Sequence, residues 1–213
     1  MRIILYYTRA LDLGPVFQEG LNFLPSERAA KVMRLRNYKD QLRSLGASLM
    51  LRRFLGVTKN SDLTIEPRGK PYLTKGGIHF SLSHSGEFSA LSLGSHPHGL
   101  DLEDTGRTIQ ADSLGKRVFS QAEQEVYQNF SQSLEIFLTL WTRKESLLKA
   151  LGVGLGVALN KVTVVPLEVN PLTIEGRNWY FLTLKISGHL FTICSPLGPV
   201  EVTPVQVGWD DFF

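Results

Sequence analysis

Glu145 and Lys149 are four residues apart within segment 141–152, so on a helix they share a face and can reach one object together. A carboxylate and an ammonium so placed can hold a metal ion and the phosphate that the metal neutralises; a solvated i, i+4 ion pair is the simpler alternative. Asp101 and Glu103 alternate with Leu100 and Leu102 in Gly99–Leu100–Asp101–Leu102–Glu103–Asp104. On a strand the acids point to one face and the leucines to the other. Two carboxylates side by side are costly to bury without a cation, and a hard cation such as Mg²⁺ takes one or two carboxylates plus substrate phosphate oxygens. A solvated acidic edge strand would show the same pattern. Ser83–His84–Ser85–Gly86 offers an imidazole N–H between two hydroxyls, donors suited to a phosphate. No Asp or second His stands at a spacing that argues for a hydrolytic triad, and neither serine sits in a nucleophile elbow. Lys70, in Gly69–Lys70–Pro71, is a point charge presented on a rigid turn, also suited to phosphate.

Holding these groups requires a helix and several strands. Phe137, Leu138, Trp141, Leu148 and Leu151 fall at helical spacing before Gly152, which predicts a long helix over 136–151. Gly152, Gly154 and Gly156 follow that helix instead of opening one, so they fit a C-cap and loop and not a dinucleotide-binding fingerprint. Ser120 with Glu123 three residues later has capping-box spacing. Ser26, after Pro25, is the expected N-cap of a helical stretch that runs with an interruption to Leu55 and closes at Gly56. Strands are expected at 2–7, 63–65, 78–82, 88–93 and 99–103. Residues 105–115 look like a polar link, and 162–207 is strand-like with a Ser187–Gly188 hairpin turn.

The 213 residues fit one large domain or two smaller ones, with an ordinary soluble composition of 43% hydrophobic and 20% charged residues. The net charge of +3 is small but unevenly spread. Residues 28–53 carry eight Lys or Arg against the single carboxylate of Asp40, which suggests a phosphate-bearing partner or a basic solvated face. Nucleic acid is disfavoured, since only Tyr38 and Phe54 could stack bases nearby. The lone Cys194 rules out an internal disulfide and a cysteine metal site and is compatible with a reducing cytoplasm. The N-terminal apolar run is too short for a signal peptide, and no segment approaches a membrane span. A soluble cytoplasmic protein is expected.

The order and spacing of Gly69–Lys70–Pro71, residues 80–86, Gly99–Leu100–Asp101–Leu102–Glu103, Phe119–Ser120 with Glu123, and 141–152 with its W-x-x-K-E-x-x-x-K pattern resemble the 4′-phosphopantetheinyl transferases, in their two-domain Sfp-type branch. The resemblance runs over about residues 24–155. It implies an α+β fold of two similar halves, 1–104 and 105–213, related by a pseudo-twofold axis with the active site in the cleft between them. It implies a monomer that moves the phosphopantetheine arm of coenzyme A onto a serine of an apo acyl or peptidyl carrier protein, with Mg²⁺, releasing adenosine 3′,5′-bisphosphate. Carried over by position, Asp101, Glu103 and Glu145 resemble the metal ligands, and Lys149 and His84 the contacts to the coenzyme A phosphates. Lys70, Arg28 and Lys31 match the grip on the nucleotide 3′-phosphate, and Arg43 and Ser83 fall within the coenzyme-binding pattern. Glu123 matches a glutamate assigned as general base, a role with which helix capping competes. A coenzyme A sensor without turnover and a Mg²⁺-dependent phosphohydrolase are the other readings; the first does not need the full acid and lysine set, and the second leaves Ser83–His84 and Lys70 unexplained.

Overall fold

The computed structural model describes residues 1–153 and 158–213; Gly154 and Gly156 lie outside them. The chain opens with β1 (Arg2–Arg9) and the helices α1 (Phe17–Asn22), α2 (Ser26–Met33) and α3 (Tyr38–Leu55). A small hairpin, β2 (Leu63–Ile65) and β3 (Pro71–Leu73), leads to β4 (His79–Ser85), β5 (Phe88–Gly94) and β6 (Gly99–Asp104). Then come α4 (Ala111–Val118), α5 (Gln121–Asn129), α6 (Leu134–Leu151) and the strands β7 (Leu172–Ile174), β8 (Arg177–Ile186), β9 (His189–Ser195) and β10 (Glu201–Gln206). The fold is α+β, as the sequence implies.

Two four-stranded sheets have the orders β10-β1-β5-β4 and β6-β9-β8-β7. The halves 1–104 and 105–213 stay a proposal about the sequence; sheet membership crosses that point twice. Strand β6 pairs antiparallel with β9 in the second sheet, while β10 returns to run parallel to β1 in the first. Pro204 in β10 is compatible with this edge position, where a missing N–H breaks no inner ladder.

Three apolar clusters follow from strand alternation. Tyr6, Leu91, Leu93, Phe80 and Leu82 of the first sheet cluster with Leu42, Leu45 and Leu49 of α3. Leu190, Cys194 and Phe181 of the second sheet face Phe137, Leu138 and Leu147 of α6. The opposite faces of both sheets meet in a third cluster of Ile3, Leu5, Tyr7, Phe88, Ala90, Leu100, Leu102, Phe191 and Ile193. Helices therefore cover the outside of two sheets that share an inner core.

The sheets also join along one edge, through side chains in place of backbone pairing. The hydroxyls of Ser81, Ser83 and Ser85 on β4 accept from the amides of Leu100, Leu102 and Asp104 on β6 at 3.0, 3.2 and 3.2 Å.

Several local expectations change. Pro25 takes the cap position of α2 and Ser26 is its first helical residue, without a side-chain cap. The polar link expected over 105–115 gives way at Ala111 to the helix α4, which buries Gly115 and Val118 and carries Asp112 in its first turn and Lys116 and Arg117 in its last, placed to suit the helix dipole. Strand β4 runs three residues past its expected end, and the region expected to be strand-like from residue 162 forms its first strand only at Leu172. Gly56 and Gly152 adopt left-handed conformations (φ 66° and 68°) that end α3 and α6, as expected.

Candidate active site

Helix α6 lies directly on β6, and Gly99 is what allows it. A Cβ at Gly99 would stand 1.8 Å from the Ser146 carbonyl oxygen and 2.6 Å from the Ala150 amide nitrogen. The close approach brings Glu145 and Lys149 of α6 over the acidic face of β6. Leu100 and Leu102 are turned away into the inter-sheet core, so Asp101 and Glu103 face the helix, as the alternation predicts. Both acids are buried, at 5% and 8% exposure.

Lys149 Nζ donates to Asp101 Oδ1 at 2.7 Å and to the Ser83 hydroxyl at 2.9 Å. Ser83 in turn donates to Asp101 Oδ1 at 3.0 Å. The Glu103 Oε2 atom accepts from the Ser85 hydroxyl at 2.6 Å and from the Arg107 guanidinium. Asp101 Oδ2 and Glu145 Oε1 are buried and have no hydrogen-bond partner among the described residues. Burial pushes the Asp101 carboxyl above its usual range, against the pull of Lys149. Burial first, and then the charge of Asp101, pushes Glu145 up to about 7.

Unpartnered buried carboxylate oxygens are expensive, and an all-oxygen donor set beside a lysine suits a hard divalent cation. The residues fit such an ion, with Asp101 and Glu145 offering free oxygens and Glu103 next to them. Among the described residues no three His, Cys, Asp or Glu side chains are grouped as a ready-made metal cluster. The third acid is engaged by Ser85 and Arg107 instead.

A cavity of about 640 Å³ opens in front of these groups. Its walls bring together Arg28, Lys31, Ser83, His84, Asp101, Glu103, Glu145 and Lys149 from four separate sequence segments, and Trp141 also lines it. Arg28 is fixed by a bond from Nε to the Ser48 hydroxyl at 2.9 Å. Desolvation in the cleft, then the charges of Arg43 and Lys149, hold His84 below its ordinary value, so at neutral pH its imidazole is uncharged.

Three expected site residues stand elsewhere. Lys70 lines a neighbouring cavity of about 450 Å³ that shares Leu82, Glu145 and Lys149 with the first. Its ammonium donates to the carbonyls of Lys149 at 2.5 Å and His98 at 3.3 Å, capping the C-terminus of α6. Arg43 stays behind the wall, donating to the Gly86 carbonyl at 2.6 Å and to the Asp40 carboxylate. Glu123 is fully buried away from the cavity. Its Oε2 accepts from the Ser120 amide at 2.7 Å and pairs with Lys144 at 2.7 Å, and its Oε1 accepts from the Val164 amide at 2.8 Å. Those bonds occupy both oxygens, so the geometry gives Glu123 the helix-capping side of its two expected roles. The sequence offers Ser85 as a hydroxyl donor suited to a phosphate, whereas in the structure it holds Glu103 together with Arg107, which sequence reasoning does not single out; nor does it assign a role to Lys144, which holds Glu123.

Residues 97–194, which include β6 and α6, match the model of the 4′-phosphopantetheinyl transferase superfamily. A 4′-phosphopantetheinyl transferase of Bacillus subtilis is 30% identical over 179 residues, covering 80% of this chain and 78% of that protein. The 4′-phosphopantetheinyl transferase Sfp of Bacillus subtilis is 26% identical over 87% of this chain and 89% of its own length. The 4′-phosphopantetheinyl transferase gsp of Aneurinibacillus migulanus is 32% identical over 65% of this chain, and the match spans 62% of the length of that protein. Family match, relatives and the acid–lysine cleft agree: the chain belongs to the 4′-phosphopantetheinyl transferase superfamily and is an enzyme of its Sfp type.

Proposed function

We propose that this chain transfers the 4′-phosphopantetheine arm of coenzyme A to a serine hydroxyl of an apo acyl or peptidyl carrier protein, releasing adenosine 3′,5′-bisphosphate, and that it does so with Mg²⁺. The observation that carries the site assignment is the pair of unpartnered buried oxygens, Asp101 Oδ2 and Glu145 Oε1, beside Lys149 in a cavity with a basic wall. Phosphoryl transfer depends on charge neutralisation and in-line positioning more than on covalent catalysis, and this wall is built for both. Asp101, Glu145 and Glu103 would hold the ion, which when bound supplies Lewis-acid charge at the pyrophosphate oxygens.

Lys149 has three N–H donors and uses two, on Asp101 and Ser83, so a third can reach a phosphate oxygen. His84 donates a neutral N–H from the same wall. Arg28 and Lys31 line the same cavity, where a nucleotide 3′-phosphate would find two positive charges. Lys70 acts on the coenzyme through the last turn of α6 in this reading, in addition to any direct contact. One chain supplies the whole wall, which supports a monomer. No described helix is long and apolar enough to cross a membrane, and the single cysteine is buried and unpaired, in keeping with a cytoplasmic enzyme.

Intact-mass measurement of an apo carrier protein incubated with the enzyme, coenzyme A and Mg²⁺ tests the proposal. The expected result is a gain of one phosphopantetheine arm, lost with EDTA or when the carrier serine is alanine. Asp101→Asn should slow the gain roughly 100- to 1000-fold, about 3–4 kcal/mol of transition-state stabilisation, with the fold intact. A rate within tenfold of wild type would remove Asp101 from the metal site.

A further inference from the structure

We propose that the alternate serines of β4, Ser83 and Ser85, are positioning residues that set the orientation of the two acids on β6, each tying down one carboxylate oxygen and leaving the other for a cation. The inference rests on the reading of Asp101 and Glu103 as metal ligands.

The hydroxyl protons carry the argument. A serine hydroxyl has one proton and two acceptor lone pairs. Ser85 Oγ accepts from the Asp104 amide at 3.2 Å, and an amide N–H can only donate. Its own proton is therefore free for a single acceptor, and the Glu103 Oε2 atom takes it at 2.6 Å. Ser83 is arranged the same way one step along the strand. It accepts from the Leu102 amide at 3.2 Å and from Lys149 at 2.9 Å, and it donates to Asp101 Oδ1 at 3.0 Å.

A cation completes each unit: Lys149 on Asp101 Oδ1 and Arg107 on Glu103 Oε2. Both acids are thus held through one oxygen by a serine and a positive charge. The second oxygen is left over in both: Asp101 Oδ2 is buried and unpartnered, and Glu103 Oε1 makes no hydrogen bond among the described residues. Ser81 repeats the bond to the strand, accepting from the Leu100 amide at 3.0 Å, but Leu100 offers it no carboxylate. It joins the sheets without touching an acid, and so separates a structural role from a positioning one.

Calorimetric titration of the free protein with Mn²⁺, together with thermal melting, tests this on Ser85, which lies outside the family's expected coenzyme contacts. Ser85→Ala should weaken Mn²⁺ binding on the order of tenfold or more, as loss of a hydrogen bond to a metal ligand does. Ser81→Ala should lower the melting midpoint as Ser85→Ala does and leave Mn²⁺ affinity at the wild-type value. Ser85→Thr and Ser85→Val, which share a shape and differ in the hydroxyl, extend the comparison should the alanine variant not fold: threonine should bind Mn²⁺ more tightly than valine. Equal Mn²⁺ affinity for Ser85→Ala and wild type, or for the threonine and valine variants, would overturn the proposal and leave the serines as sheet-joining groups. A wild-type protein that binds no Mn²⁺ would instead remove the metal-ligand reading on which the inference stands.

Discussion

Lys144 and Glu145 are neighbours in sequence and do opposite work, because successive residues on a helix point about 100° apart. Glu145 turns to the cavity with a free oxygen, while Lys144 turns inward and is fully buried. Inside, Lys144 pairs with Glu123 at 2.7 Å and donates to the carbonyls of Leu159 and Val162, and Glu123 caps α5 and holds the Val164 amide. This buried pair ties α5, α6 and the segment after α6 into one unit. A base for the carrier serine must meet its proton, and Glu123 has neither a free oxygen nor a place on the cavity wall. Glu123→Gln should leave the Lys144 charge buried without its partner, at a cost of about 3–5 kcal/mol in stability. Turnover per folded molecule should stay within a few-fold of wild type at a permissive temperature. Denaturant melts alongside rate measurements check this; a large fall in rate with unchanged stability would restore the general-base role.

At the scale of elements, the site is made where α6 crosses β6, and His98 anchors the turn that delivers β6 to that crossing. His98 is fully buried; its Nδ1 donates to the His96 carbonyl at 2.9 Å and its Nε2 accepts from the Ser92 hydroxyl at 2.9 Å. Burial lowers its pKa to about 4. The unfolded chain takes up a proton near 6.5, and the folded chain does not until about 4, so this histidine's contribution is present above 6.5 and is lost as pH falls through that window. Comparing wild type with His98→Gln by chemical denaturation, the stability difference should shrink by about 3 kcal/mol from the top of the window to the bottom. A difference that does not change with pH would mean that His98 takes up its proton as readily in the folded chain as in the unfolded one.

Helix α6 and strand β6 were legible in the sequence because a long apolar period ends at Gly152 and two leucines alternate with two acids. That Gly99 serves as the seat of α6 was not legible, because the need for a missing Cβ arises only from the Ser146 carbonyl packed against it. Helix α4 is only eight residues long, and its apolar face is short enough to pass for a link. The serine bridge from β4 to β6 and the displacement of Lys70 to the end of α6 are contacts between segments far apart in the chain, which local pattern does not carry.

At the scale of the whole molecule, the cleft has walls from both sheets: His84 and Ser83 from the first, Asp101 and Glu103 from the second. Its geometry therefore depends on the sheets not moving against each other. Three features resist that motion. The inter-sheet core is made by side chains of β1, β5, β6 and β9 and is nearly free of solvent, with Leu5, Ala90, Leu100 and Phe191 all at 0% exposure. The serine bridge fastens one edge. The chain itself crosses from the first sheet to the second at β6 and back at β10, after which Phe212 packs into the first helical core. Two lobes sharing a core and two chain crossings should unfold together and not in turn. Trp209 reports on the first core and Trp179 on the second, so single-tryptophan variants give each lobe its own fluorescence signal. Both signals should be lost at one urea concentration. Leu5→Ala, which opens a cavity between the sheets, should cost about 2–5 kcal/mol and move both transitions equally. If the Trp179 signal survived while that of Trp209 was lost, the lobes would be independent, and the fixed cleft between them would need another source of rigidity.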